Sequence, residues 1–206
     1  MRVRKRVWVA DDAANLAQDR ENGCRINHEA LLAYAARLGV IVHAGIYFPR
    51  YNGLERDRSQ LISLKQTAGF TEMEVRPVRQ RPDGSYKSDI DTVITMSAWG
   101  AAVTGQADVV VLASGDSDFV PLVEGLVQRG IEVHVIGPDN GTAIELAVAA
   151  DCFLYASQVP GLTQPTGSPA TPVTASQAAA ERPAERLGGN GNGLHTFPVP
   201  SLVKPN

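Results

Sequence analysis

The chain has 206 residues, 44% of them hydrophobic, and only two cysteines, Cys24 and Cys152. That is enough for one ordinary domain and a tail, with no disulfide framework and no metal-ligand cysteine spacing. A formal charge of −3 excludes global attraction to nucleic acid, so any such binding must come from local patches. No apolar run approaches membrane-spanning length and no secretory leader is legible behind the basic start, so a soluble cytoplasmic protein with no membrane partner is expected.

In chain order, Arg6-Val7-Trp8-Val9-Ala10 predicts a first strand that delivers Asp11-Asp12 at its carboxyl end. Residues 17–26 read as a polar loop with a turn at Asn22-Gly23. Asn27 caps a helix that turns Leu31, Leu32, Ala35 and Leu38 inward and closes at Gly39. Residues 40–48 form an apolar second strand, in which His43 reads as a core or edge residue. Residues 49–53 form a loop, and 54–67 a helix carrying Leu61, Ile62 and Leu64. Residues 71–78 alternate apolar and charged, as an outer strand with one wet side does.

Residues 79–87 read as a basic, turn-rich loop. Ser88 or Asp89 caps a helix with Val93, Ile94, Met96, Ala98 and Trp99 on its face. Val109 to Leu112 form a continuous apolar run, typical of a strand buried on both faces. It stops at Ser114-Gly115-Asp116-Ser117-Asp118, and a helix with Phe119, Leu122, Val123 and Leu126 follows, ended by Gly130. Ile131, Val133, Val135 and Ile136 make the next strand, where His134 reads as a packed core histidine. A helix through Leu146 and a last strand at Cys152–Tyr155 complete a domain over 1–159. Eight of the thirteen prolines fall in 160–206, among Gly, Ser and Thr and without apolar periodicity, which predicts a disordered tail.

Strand and helix alternate, so the fold class is α/β, a doubly wound parallel sheet with helices on both faces. Three places put acids at strand ends or helix starts: Asp11/Asp12, Asp89/Asp91 and Asp116/Asp118. One acid per turn is explained by helix capping alone, and Ser117 caps equally well. With order 3-2-1-4-5, however, Asp12 and Asp116 face each other across the crevice at the switch point. Clustered carboxylates repel unless a cation is present, and oxygen ligands without His or Cys select Mg²⁺ or Mn²⁺.

At Asp12-Ala13-Ala14-Asn15, Lys87 through Asp91, Ser114 through Phe119, and Ala150 through Phe153, the chain resembles the NYN domain, the LabA-like branch of the PIN-like ribonucleases. The likeness covers roughly residues 5–157. It implies a sheet ordered 3-2-1-4-5 and acids that bind Mg²⁺ or Mn²⁺ and cleave RNA. Asp12, Asp91, Asp116 and Asp118 then serve as metal ligands and catalytic acids. Asn15, Ser114 and Ser117 of the matching motifs are expected to contact substrate, and Arg79, Arg81 and Lys87 are expected to do so on the local cluster of basic residues. The chain departs from the family pattern at Ala13, where Gly is usual, and at Ser97, where a second acid is often found. The spacing from Lys87 to Asp91 is one residue long, so Asp89 competes with Asp91. A catalytically weak RNA-binding or regulatory module is therefore the alternative reading, and a homodimer stays open.

Other chemistries lack their parts. Gly115-Asp116-Ser117 is similar to the serine block of GDSL-type hydrolases, but no Asp-x-x-His supplies a base. Asp11-Asp12-Ala13 does not supply the Asp-x-Asp nucleophile of a haloacid-dehalogenase-like phosphatase, and no Gly-x-Gly-x-x-Gly turn marks a dinucleotide site. Residues 50–87 carry eight basic against five acidic side chains, with Arg76, Arg79, Arg81 and Lys87 gathered near the end of strand three. Phosphate contact is the functional reading of that run, and Tyr51 and Tyr86 are candidates for base stacking. A solvated surface is the plainer reading.

Overall fold

The computed structural model describes residues 4–17, 24–50, 62, 69–80, 82 and 86–165. The elements are β1 (Arg6–Asp12), α1 (Ala13–Leu16), β2 (Cys24–Ile26), α2 (His28–Leu38), β3 (Val40–Arg50), β4 (Glu72–Pro77), β5 (Arg79–Gln80) and β6 (Tyr86–Lys87). There follow α3 (Ile90–Val103), β7 (Val109–Ala113), a 3₁₀ turn at Ser117–Phe119, α4 (Val120–Gln128), β8 (Glu132–Gly137), α5 (Ile144–Ala149), β9 (Cys152–Tyr155) and β10 (Thr163–Pro165).

Six strands form one sheet in the order β4-β3-β1-β7-β8-β9, every pair parallel. Counted along the chain this is the expected 3-2-1-4-5, extended by β9 at the far edge. The chain runs outward from β1 to one edge, returns through α3, and runs outward again from β7. The switch point therefore falls between β1 and β7.

The two faces of β1 seed two cores. Val7 and Val9 pack with Ala30, Leu31 and Ala35 of α2. Trp8 and Ala10 pack with Ile94 and Ala98 of α3 and with Leu122 and Leu126 of α4. β7 is buried at all five positions, the consequence of helices on both sides. Pro121 sits in the first turn of α4, where no amide is required, and Gly130, at φ 77°, ends that helix. His43 stacks on Trp8 with ring centroids 4.8 Å apart, and His134 is a buried histidine held by Tyr34 and Glu132. No described helix is long and apolar enough to cross a membrane.

Three expectations are corrected. Residues 24–26, read as loop, form β2. Residues 163–165, read as tail, form β10, and the two pair antiparallel. Residues 79–87, read as loop, contain the β5–β6 pairing of Arg79 with Lys87 and Gln80 with Tyr86. The helix expected over 54–67 lies outside the described residues except for Ile62, and so does the tail beyond Pro165.

Packed structure thus continues past residue 160. Leu162 is fully buried, and its carbonyl accepts the Asn27 amide at 2.7 Å, just ahead of α2. Leu162→Ala is expected to cost about 2–5 kcal/mol, the range for a buried leucine that leaves a cavity. Urea denaturation checks this, and a loss under about 1 kcal/mol would mean that this turn is not docked.

Candidate metal centre

Asp12 ends β1, and the turn after β7 begins at Ser114. The register that places Asp11 beside Ala113 sets Asp12 and Ser114 next to each other beyond the last paired residues. Ser114 Oγ donates to Asp12 Oδ2 at 3.1 Å and accepts the Asp116 amide at 3.2 Å. Asn15 Oδ1 accepts the Gly115 amide at 2.7 Å, so α1 and the β7 turn are laced together. Gly115 belongs at this point because a Cβ there would stand 2.8 Å from Thr142 Oγ1 and 2.9 Å from Pro138 Cδ. The Ala143 amide reaches its carbonyl at 2.9 Å.

Capping and site formation turn out to be compatible. Asp12 Oδ1 accepts the Asn15 amide at 3.2 Å and caps α1. Asp116 Oδ1 accepts the Asp118 amide at 2.9 Å and caps the 3₁₀ turn. In Asp116 the cap uses one oxygen, and the carboxylate still joins a second arrangement. Asp91, Asp116 and Asp118 each present an oxygen within 4.8 Å of the other two. Asp91 and Asp116 are half-buried, and Asp118 is exposed. Asp91 comes to this group because it lies in the first turn of α3, whose start is at the carboxyl end of the sheet. Asp89 does not join it. It is exposed and lies 3.8 Å from Arg76 Nη1.

Asp12 stands beside this trio. It is 5% exposed, and burial pushes its carboxyl up to about 7. The Asn15 amide and the Ser114 hydroxyl pull the other way, while the charges of Asp91 and Asp11 add to the rise. A desolvated carboxylate facing further carboxylates is the situation that a bound cation relieves. An all-oxygen set of this kind fits a hard divalent ion such as Mg²⁺ or Mn²⁺.

The remaining expected site residues divide. Ser114 is fully buried and spends its hydroxyl on Asp12 and the turn, so it supports the site rather than facing a substrate. Ser117 is exposed in the 3₁₀ turn, and Asn15 is half-buried at the rim. Arg79 is exposed on β5. The backbone of Lys87 pairs with it on β6, and Arg81 and Tyr51 lie outside the described residues. Arg76 is engaged by Glu74 at 2.7 Å. Ser97 lies farther along α3 and is not one of the clustered acids.

Sequence reasoning named Asp11 beside Asp12 but missed its partner. Asp11 Oδ2 meets His28 Nδ1 at 2.6 Å, in the interior on the opposite side of β1 from Asp12. Strand alternation was the available signal, since consecutive residues at the end of a strand point to opposite faces.

A parallel sheet of this order flanked by helices, with acids gathered near the carboxyl ends of its central strands, is consistent with a PIN-like NYN fold. The NYN domain model matches residues 6–158, and the chain belongs to that family. The chain is also similar to a Vibrio parahaemolyticus protein of unknown function whose crystal structure is solved. The two share 30% identity over 75% of this chain and 96% of that one, with a TM-score of 0.64. No curated protein matches.

Proposed function

We propose that this NYN protein is a metal-dependent endoribonuclease of the LabA-like branch, acting on RNA in the cytoplasm. The observation that carries the reading is the convergence of Asp91, Asp116 and Asp118 to within 4.8 Å, with Asp12 beside them. These four would hold Mg²⁺ or Mn²⁺. When bound, such an ion supplies a water of lowered pKa and stabilises charge on the phosphodiester.

The chain's own groups do the rest. Ser114 and Asn15 hold the β1 end and the β7 turn in register. Asp12, whose carboxyl burial raises to about 7, would hold the ion as the deprotonated carboxylate. The β5–β6 pairing immediately precedes α3, so exposed Arg79 lies in the segment leading to Asp91 and is placed to meet a phosphate.

One observation favours a second reading, a regulatory module that binds RNA without cutting it. Ser97 replaces an acid often found in the family, which leaves fewer charges to hold and activate. The deciding experiment incubates purified protein with mixed RNAs, with and without Mn²⁺, beside Asp116→Asn. Mn²⁺-dependent cleavage lost in the variant supports the nuclease. RNA binding without cleavage in the wild type supports the module.

A further inference from the structure

Asp11 and His28 form a polar pair that packing does not call for. Asp11 is fully buried, His28 is 4% exposed, and Nδ1 lies 2.6 Å from Oδ2. Asp11 Oδ1 and His28 Nε2 are also buried, with no hydrogen-bond partner among the described residues. The same side of β1 carries Val7 and Val9, which join Ala13 and Leu16 in the core below. An apolar residue at position 11 would extend that core without desolvating a carboxylate. Buried ionic pairs are commonly no better for stability than well-packed apolar replacements.

The pair is distinguished by its neighbour. Asp11 and Asp12 are consecutive and point to opposite faces of the strand. Asp12 lies on the face where the charge of Asp91 acts on it and where Ser114 links it to the Asp116 amide, while Asp11 faces the interior and His28. His28 is the first residue of α2, next to the N-cap Asn27, whose side chain accepts the Glu29 amide at 3.2 Å. Its ring is set edge-on to Phe48 of the neighbouring β3, with centroids 6.5 Å apart. The Asp11–His28 contact therefore ties the carboxyl end of β1 to the start of a helix on the far side of the sheet. Holding Asp11 fixes the last peptide of the strand, and so the direction in which the Asp12 side chain leaves it.

We infer that Asp11 and His28 are positioning residues: they pin the end of β1 from behind so that Asp12 stays aimed at Asp91, Asp116 and Asp118. The inference rests on reading those acids as a metal site.

The test measures Mn²⁺ affinity by calorimetry beside the melting temperature. In the double variant Asp11→Leu/His28→Leu, apolar side chains replace the pair, and the melting temperature should hold or rise. Mn²⁺ affinity should nevertheless fall at least about tenfold, as when an outer-shell support is lost. His28→Asn keeps an amide near the Nδ1 position and should stay within about threefold of wild type. His28→Gln, whose amide reaches toward Nε2, should weaken binding by about tenfold. That pair of single variants carries the test if the double variant does not fold. Unchanged Mn²⁺ affinity in the double variant, or equal losses in the Asn and Gln variants, would overturn the inference and leave the metal reading standing. A wild type that binds no Mn²⁺ overturns the metal reading, and this inference with it.

Discussion

Mn²⁺ or Mg²⁺ at about a hundredfold excess over its Kd is expected to raise the melting temperature of the wild type by roughly 5–10 °C, and to leave Asp116→Asn almost unshifted. The rise follows from mass action, because the unfolded chain does not hold the acids together. Asparagine caps as well as aspartate, so the amide of Asp118 keeps its acceptor and the turn keeps its shape. A lost shift then reports lost ligation rather than lost folding. Asp91→Asn should behave in the same way, since Asp91 stands within 4.8 Å of the other two acids. Asp89→Asn should keep the wild-type shift, since Asp89 lies by Arg76. The reverse result for positions 89 and 91 would overturn the assignment of the α3 acid. Absence of a shift in every protein would show that the acids do not form one site.

The Asp89/Asp91 ambiguity marks where sequence reasoning stops. Both acids lie at the start of α3 and both satisfy a basic-x-x-acid pattern loosely. Their fates separate through helix phase: position 89 stands outside the first turn, and position 91 within it. Spacing alone does not fix that phase when either Ser88 or Asp89 can begin the helix. The parallel sheet was legible because β1, β3, β7 and β8 are apolar runs that alternate with helices, whereas its order came from the resemblance to the NYN domain and not from the runs themselves.

β2 and β10 were not legible. Each has three residues, and each is a strand only because the other lies beside it. Nothing local in Cys24-Arg25-Ile26 or Thr163-Gln164-Pro165 has a period to read. Leu162 is a lone apolar residue among turn formers, and its burial is a tertiary fact. Ser114 illustrates a different limit. Its position in the motif suggested contact with substrate, whereas its full burial makes it the bridge between Asp12 and the Asp116 amide. The exposure of a hydroxyl at a strand end depends on what covers the turn, here the loop that brings Thr142 and Ala143 against Gly115.

In the metal-free protein, stability is expected to decline as pH rises from about 4 to about 7, and Asp12→Asn should remove most of that decline. Unfolded, the Asp12 carboxyl ionises near 3.8. Folded, it keeps its proton to about 7, because burial outweighs the hydrogen bonds from Asn15 and Ser114. Between those values the folded state binds more protons than the unfolded state, so each step up in pH favours unfolding. Below the lower value the carboxyl is protonated in both states and its contribution is fully present. Above the upper value it is ionised in both, and the contribution is gone. A rise from 3.8 to about 7 sets the size of this effect at roughly 4 kcal/mol. The asparagine variant carries no proton to lose, so at pH 8 and without metal it should be more stable than the wild type by up to that amount, and by pH 4.5 the difference should shrink to about 1 kcal/mol. Saturating Mn²⁺ should reverse the order at pH 8, because the ionised carboxylate that destabilises the empty site is the form that binds a cation. Affinity for the ion should fall about tenfold for each pH unit below 7, one proton being displaced on binding. Urea denaturation from pH 4.5 to 8.5, with and without Mn²⁺, measures all of this. Parallel curves for the wild type and Asp12→Asn in the absence of metal would mean that the Asp12 carboxylate is solvated, and that it is not the desolvated acid the cation relieves.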